Sequence, residues 1–149
     1  MNFFKELVFK SNVAKILNNF FKKEEVINEI GKEVLFKTQK NKNLPTYPCV
    51  FISIINNTNN TKYATPEDGQ RYTDLIIQFE VFSKELPNYT KEDATTLVGE
   101  KLIEGFCTEL SLVDVTLNQP MPNIDETISR RMIQISCTID NYENKIYAK

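Results

Sequence analysis

Over residues 72–83 the sequence alternates strictly, with Thr73, Leu75, Ile77, Phe79 and Val81 on one parity and Tyr72, Asp74, Ile76, Gln78, Glu80 and Phe82 on the other. Strand side chains point to opposite faces with a period of two, so the first set belongs to a core and the second to solvent or a neighbour. A helix cannot use this pattern, because residues two apart lie on nearly opposite sides of it. A strand buried on one face needs further strands beside it and a packed layer over that face. Ile76 and Phe82 interrupt the polar parity, which implies cover over part of it, by a helix or by another subunit.

Other segments supply the partners of this strand. Residues 49–55 are rich in β-branched side chains and of strand length, so they read as a buried strand. A run containing Asn41, Asn43, Pro45 and Pro48 leads into it, and the polar residues 56–70 read as a long loop to the next strand. The last strand, Ser129–Asp140, sets Arg131, Ile133, Ile135, Cys137 and Ile139 against Arg130, Met132, Gln134, Ser136 and Thr138. Before it, residues 112–119 place Val113, Val115 and Leu117 on the inner face, with Pro120 and Pro122 as stops.

Two stretches carry helical spacing. Val13, Ile16, Leu17, Phe20, Ile27, Ile30 and Val34 form a stripe with a polar turn at Lys23 and Glu24 and a weakening glycine, Gly31, which reads as one long amphipathic helix or two short ones. Ahead of it Phe3, Phe4, Leu7, Val8 and Phe9 extend that helix or form an arm over 1–12. These rings, with Phe20 and Phe21, cap the domain's own core, meet another subunit, or rest on a membrane surface, although the surrounding lysines are not densely clustered. Thr90 three residues before Asp93 starts a second helix, whose stripe Ala94, Leu97, Val98, Leu102, Phe106 and Leu110 runs to about residue 109. The expected fold is α+β: a mostly antiparallel four-stranded sheet, a long N-terminal helix, and a second helix between two hairpins over 49–83 and 112–140. Its helices lie on one face, the other face is semi-polar, and the tail 141–149 is loosely held.

A chain of 149 residues fits one domain, 1–149, and can bury roughly two thirds of its unfolded surface in one core. Its apolar runs are too short to span a bilayer, and residues 1–15 do not read as a signal peptide. Histidine is absent, which removes the commonest general base and metal ligand and the nucleophile arrangements built on it. Cys49, Cys107 and Cys137 are widely spaced within apolar segments and read as small buried hydrophobes rather than as a disulfide framework or zinc site. The four glycines, Gly31, Gly69, Gly99 and Gly105, are too scattered for a phosphate loop.

The acids and arginines do not assemble a reaction centre either. Glu67 and Asp68 lie in the polar loop, Glu100 and Glu104 sit one helical turn apart on an exposed face, and Asp74 and Glu80 are too far apart on one strand to work as an acid and base pair. Arg130 and Arg131 enter the last strand on opposite faces, so at most one of them readily points to a partner while the other pairs with an acid across the sheet; Arg130 is the candidate for the partner, against a solvated place on the surface. Sheet-face RNA readout would need central aromatics, whereas Tyr72 and Phe82 stand near strand ends. Charge is nonetheless uneven: residues 1–45 hold nine lysines against five acids, and the remainder nine basic against fifteen acidic residues, which favours contact between copies. No catalytic residue, cofactor or metal is expected, and the chain's work falls to its surfaces.

The segments Tyr47-Pro-Cys-Val-Phe-Ile, the polar loop after them, Tyr72-Thr-Asp-Leu-Ile-Ile-Gln-Phe-Glu-Val-Phe-Ser, the following helix, Leu117-Asn-Gln-Pro-Met-Pro-Asn-Ile-Asp and Arg130-Arg-Met-Ile-Gln-Ile-Ser-Cys-Thr-Ile cover about two thirds of the chain. Together they resemble the tail-terminator, or tail-completion, proteins of tailed bacteriophages and prophages. These are packing and turn features, less specific than a catalytic motif. The resemblance implies a closed ring, commonly hexameric, that binds the last ring of tail-tube protein and stops tube growth. It also implies docking to the head connector protein, a channel that DNA passes without sequence readout, and a place in the virion at the head-proximal end of the tail after assembly in the host cytoplasm. Candidate interface residues in such a ring are Phe3, Phe4, Tyr63, Arg71, Ile76, Phe82, Arg130 and Met132, with the polar loop projecting toward tube or connector. The alternatives are another head-to-tail connector component, a protein-binding adaptor outside phages, and a small-molecule enzyme whose site is assembled from scattered acids, tyrosines and arginines.

Overall fold

The computed structural model describes residues 6–37, 46–60, 72–110, 114–140 and 145–148. Helix α1 spans Glu6–Phe21 and buries Phe9, Val13, Leu17, Phe20 and Phe21 along one stripe. It ends where the Lys22 amide reaches back to the Asn18 and Asn19 carbonyls and the Lys23 amide to that of Phe20. Lys23 is extended, with φ −62° and ψ 136°, and its carbonyl takes the amides of Val26 and Ile27 to start helix α2, Glu24–Ile30. Glu24 and Glu25 favour that new N-terminus, and Gly31, at φ 88°, closes the helix with its amide on the Ile27 carbonyl at 2.7 Å. The expectation of one long N-terminal helix is therefore wrong: the polar turn separates two helices that bury different stripes.

The sheet is also larger than expected. Strands β1 (Leu35–Lys37), β2 (Cys49–Asn60), β3 (Tyr72–Ser83), β4 (Val115–Met121) and β5 (Ser129–Asp140) lie in the order β1-β2-β3-β5-β4, and β6 (Lys145–Ala148) pairs with β5, six strands in all. It is a mixed sheet, because β1 runs parallel to β2 while the other pairs are antiparallel. β1 has only three residues, too few to show a period. β4 covers β5 only from Arg130 to Ile135, and β6 takes the ladder groups that remain between Cys137 and Asp140. A loose tail over 141–149 is thus corrected for 145–148.

Three further boundaries move. The stretch 1–12 is helical from Glu6 onward. The backbone of residues 56–60 belongs to β2, paired with β3 out to Asn60 and Tyr72, so the template of the neighbouring strand overrides the poor strand propensity of asparagine. β4 begins at Val115 and runs through Pro120, which an edge strand tolerates because its outer amide needs no partner.

Helix α3 spans Lys91–Gly105, capped by Thr90, whose hydroxyl accepts the Asp93 amide at 3.2 Å, and is followed by a π-helical segment, Phe106–Leu110. α1 packs over β1 and β2, and α3 over β3, β5 and β4. Between helices and sheet lies one apolar cluster that takes in Val50, Ile52, Leu75, Ile77, Phe79, Val81, Ile133, Ile135, Cys137 and Ile139 from the strands. Phe79 meets Phe106 edge to face at 5.2 Å, a geometry aromatic pairs prefer. No helix of the described residues is long and apolar enough to cross a membrane.

Candidate protein interface

The strand alternation that fills the core sends the other parity to the opposite face, on which no described helix packs. Register sets out its rows: Cys49, Phe82, Arg130 and Met121; then Phe51, Glu80, Met132 and Gln119; then Ser53, Gln78, Gln134 and Leu117. Beyond them Ile76 stands opposite Ser136, and Asp74 opposite Thr138.

Most polar groups on this face are joined across strands. Arg130 sets Nη2 3.0 Å and Nε 3.1 Å from Glu80 Oε2, and its guanidinium lies over the Phe82 ring at 6.0 Å. Gln134 Nε2 donates to Gln78 Oε1 at 2.9 Å, and the Thr138 hydroxyl donates to Asp74 Oδ1 at 2.6 Å. Buried charges and amides are costliest when unpaired, so this ladder lowers the desolvation cost of being covered. Ile76 and Met132 are half-buried among these pairs.

The face is open only in its middle: Ser136 and Asp140 toward one end are 4% and 1% exposed, and the other end is closed by the chain itself. Phe82 and Phe51 are 5% and 6% exposed, meet edge to face at 5.7 Å, and pack with Cys49, Leu35, Tyr47 and Ile128. The Tyr47 hydroxyl is pushed above its usual 10.0 by burial first and then by Cys49 and Asp125. The turn that brings Ile128 here is fastened by Asp125 Oδ1, which accepts the Thr127 amide at 2.9 Å and its hydroxyl at 2.6 Å and is thereby held below the ordinary carboxylate range.

Of the residues picked from sequence, Ile76, Arg130 and Met132 share the open face, whereas Phe82 is buried beneath its own chain and is not a surface contact. Phe3, Phe4, Tyr63 and Arg71 lie outside the described residues, as does Val113. The two neighbouring arginines take opposite faces of the sheet. Arg130 is the one ion-paired across the sheet, while Arg131 turns to the helix side, where Nη1 donates to Asn118 Oδ1 at 2.8 Å and Nη2 to Thr96 Oγ1 at 3.0 Å. Its Nε is buried without a hydrogen-bond partner among the described residues.

Two contributors escape sequence reasoning because a β-bulge places them. The irregularity between Val115 and Leu117 turns Leu117 onto the open face opposite Gln134, against the expected inner position. That between Ile54 and Asn56 leaves Ile55 unpaired and 47% exposed. Bulges have no periodic signature, although a poor fit of Leu117-Asn-Gln to alternation is a hint.

Among the described residues no group of three or more His, Cys, Asp or Glu could hold a metal ion. Beside α1 a cleft of about 560 Å³ is lined by Asn18, Phe21, Lys22, Lys32, Glu33, Val34, Leu35 and Thr46. No protein-family model matches this chain, and no curated protein matches it in sequence.

Proposed function

We propose that this protein is a structural component of a phage or prophage tail, a terminator that forms a ring on the head-proximal end of the tail tube, ends tube polymerisation and helps join the tail to the head connector. The observation that carries the reading is the sheet face on which no helix of the described residues packs, where Glu80–Arg130, Gln78–Gln134 and Asp74–Thr138 are paired beside Ile76, Met132 and Leu117. Such a surface suits burial against protein, since covering it leaves these groups satisfied. The resemblance of the strand and turn segments to tail-completion proteins supplies the kind of partner. The mechanism is then geometric: one surface fits the end of the tube, and the opposite surface offers no template for another tube ring.

The test is elongation of the tail-tube protein from the same genome, followed by electron microscopy with and without this protein. Short capped tubes carrying a ring at one end are expected. Unchanged tube lengths with an unbound protein would overturn the reading and favour an adaptor with other partners.

A further inference from the structure

Charge is divided between the two long helices. After Glu6 at its start, the charged residues of α1 are Lys10 and Lys15, and Lys22 follows directly on its last residue, Phe21. Lys15 and Lys22 are exposed and seven residues apart, hence on one side of the helix, and neither is ion-paired among the described residues. Asn18, one turn from both, lines the cleft beside α1 together with Lys22, Lys32 and Leu35 of β1. The lysine flank therefore looks toward the β1 side of the sheet.

On α3 the sign is reversed. Asp93 and Glu100, also exposed and seven residues apart, crown the ridge opposite the buried stripe of Ala94, Val98 and Leu102. The one lysine within that helix beyond its first residue, Lys101, is already engaged by Glu29 and Glu104, which hold its ammonium above the usual range through hydrogen bonds to Glu29 first. Because α1 lies over β1 and β2 and α3 over β3, β5 and β4, the basic and acidic surfaces stand on different sides of one helix layer.

Complementary surfaces on different sides of one molecule are matched by a second copy set head to tail, and a contact of that kind closes into a ring when its rotation allows. We infer that copies of this chain meet through the Lys15–Lys22 flank of α1 in one subunit and the Asp93–Glu100 ridge of α3 in the next. The inference rests on the ring reading above and names the lateral contact within it. It leaves the open sheet face for the tube or the connector.

The test is a charge exchange, read by sedimentation at low salt. K15E/K22E makes both surfaces acidic, and D93K/E100K makes both basic. Each variant alone should weaken self-association by at least about tenfold. An equimolar mixture, or one chain carrying all four changes, should restore the parent's mass. These positions are exposed, so circular dichroism should stay close to the parent, with D93K/E100K melting slightly lower because a lysine replaces an acid in the first turn of α3. Rings that form unchanged in either variant would overturn this contact while leaving the ring reading intact, and so would folded variants whose mixture fails to recover. A parent that stays a single copy at every concentration, and beside tube ends, would overturn both.

Discussion

Arg130 and Glu80, fifty residues apart in sequence, meet across β3 and β5 through two contacts to a single carboxylate oxygen, Nη2 at 3.0 Å and Nε at 3.1 Å. Their side chains are only 23% and 14% exposed, so the pair lies where a lone charge is poorly solvated. Arg130→Met should cost about 1–3 kcal/mol, because it strips the Glu80 carboxylate of this partner. Replacing both, R130M with E80L, should recover much of that loss in urea unfolding, since an apolar pair leaves no orphan charge.

The two glycines of α3 should respond differently to alanine. At Gly105 a Cβ would stand 2.9 Å from the Phe20 ring, which is itself buried against Phe21. G105A should therefore destabilise by about 1–3 kcal/mol through overpacking between α1 and α3. At Gly99 the nearest atoms are side-chain carbons, Ile133 Cδ1 at 3.0 Å and Arg131 Cδ at 3.2 Å, which need give way by only a few tenths of an ångström. The helix propensity gained there, about 1 kcal/mol, should largely offset the squeeze, and thermal melts of G99A should lie near the parent.

Phe106 fills the space between α3 and β3 and is fully buried against Phe79. Phe106→Ala should cost about 3–5 kcal/mol, seen as a lower urea midpoint with little change in slope. Phe106→Leu should cost clearly less, because it leaves a smaller cavity.

Burial pushes the Cys137 thiol up to about 12, with Asp74 adding to the effect, and the Cys49 thiol up to about 11 against a small opposing pull from Lys37; the ordinary value is 9.0. A thiol harder to ionise folded than unfolded contributes stability that is complete below pH 9.0 and is lost as pH climbs toward those raised values. The urea midpoint should thus fall as pH rises from about 9 toward about 11, and the fall should be shallower in Cys137→Ala than in the parent. Equal falls in the two proteins would contradict the assignment to this thiol.

The parts of the fold that sequence reveals are those whose period is long enough to read. Leu75 to Val81 and Ile133 to Ile139 alternate through a full strand, and their apolar side chains are buried on the parity where alternation puts them, although Ser136 on the other parity is buried too. Thr90 caps α3 through a local bond to Asp93, again a short-range signal. What escaped depends on tertiary choices. β1 and β6 exist because neighbouring strands offered unpaired edges, and 56–60 is a strand because β3 lies alongside. The break between α1 and α2 was visible as the polar pair Lys23 and Glu24, but the stripe continued after it and concealed the change of face. On the candidate interface, alternation found Ile76 and Met132, while the cover over Phe82 came from Tyr47 and Ile128, distant in sequence and without a pattern.

The central claim is that this protein acts by matching surface to surface in a closed assembly. Its mass in solution, measured by sedimentation alone and with tail-tube ends and checked in negative-stain images, tests that most directly. A multiple of the 17.3 kDa chain with a central hole, alone or seated on the tube, is the predicted result. A particle of single-chain mass under both conditions, leaving the tube end bare, would contradict it.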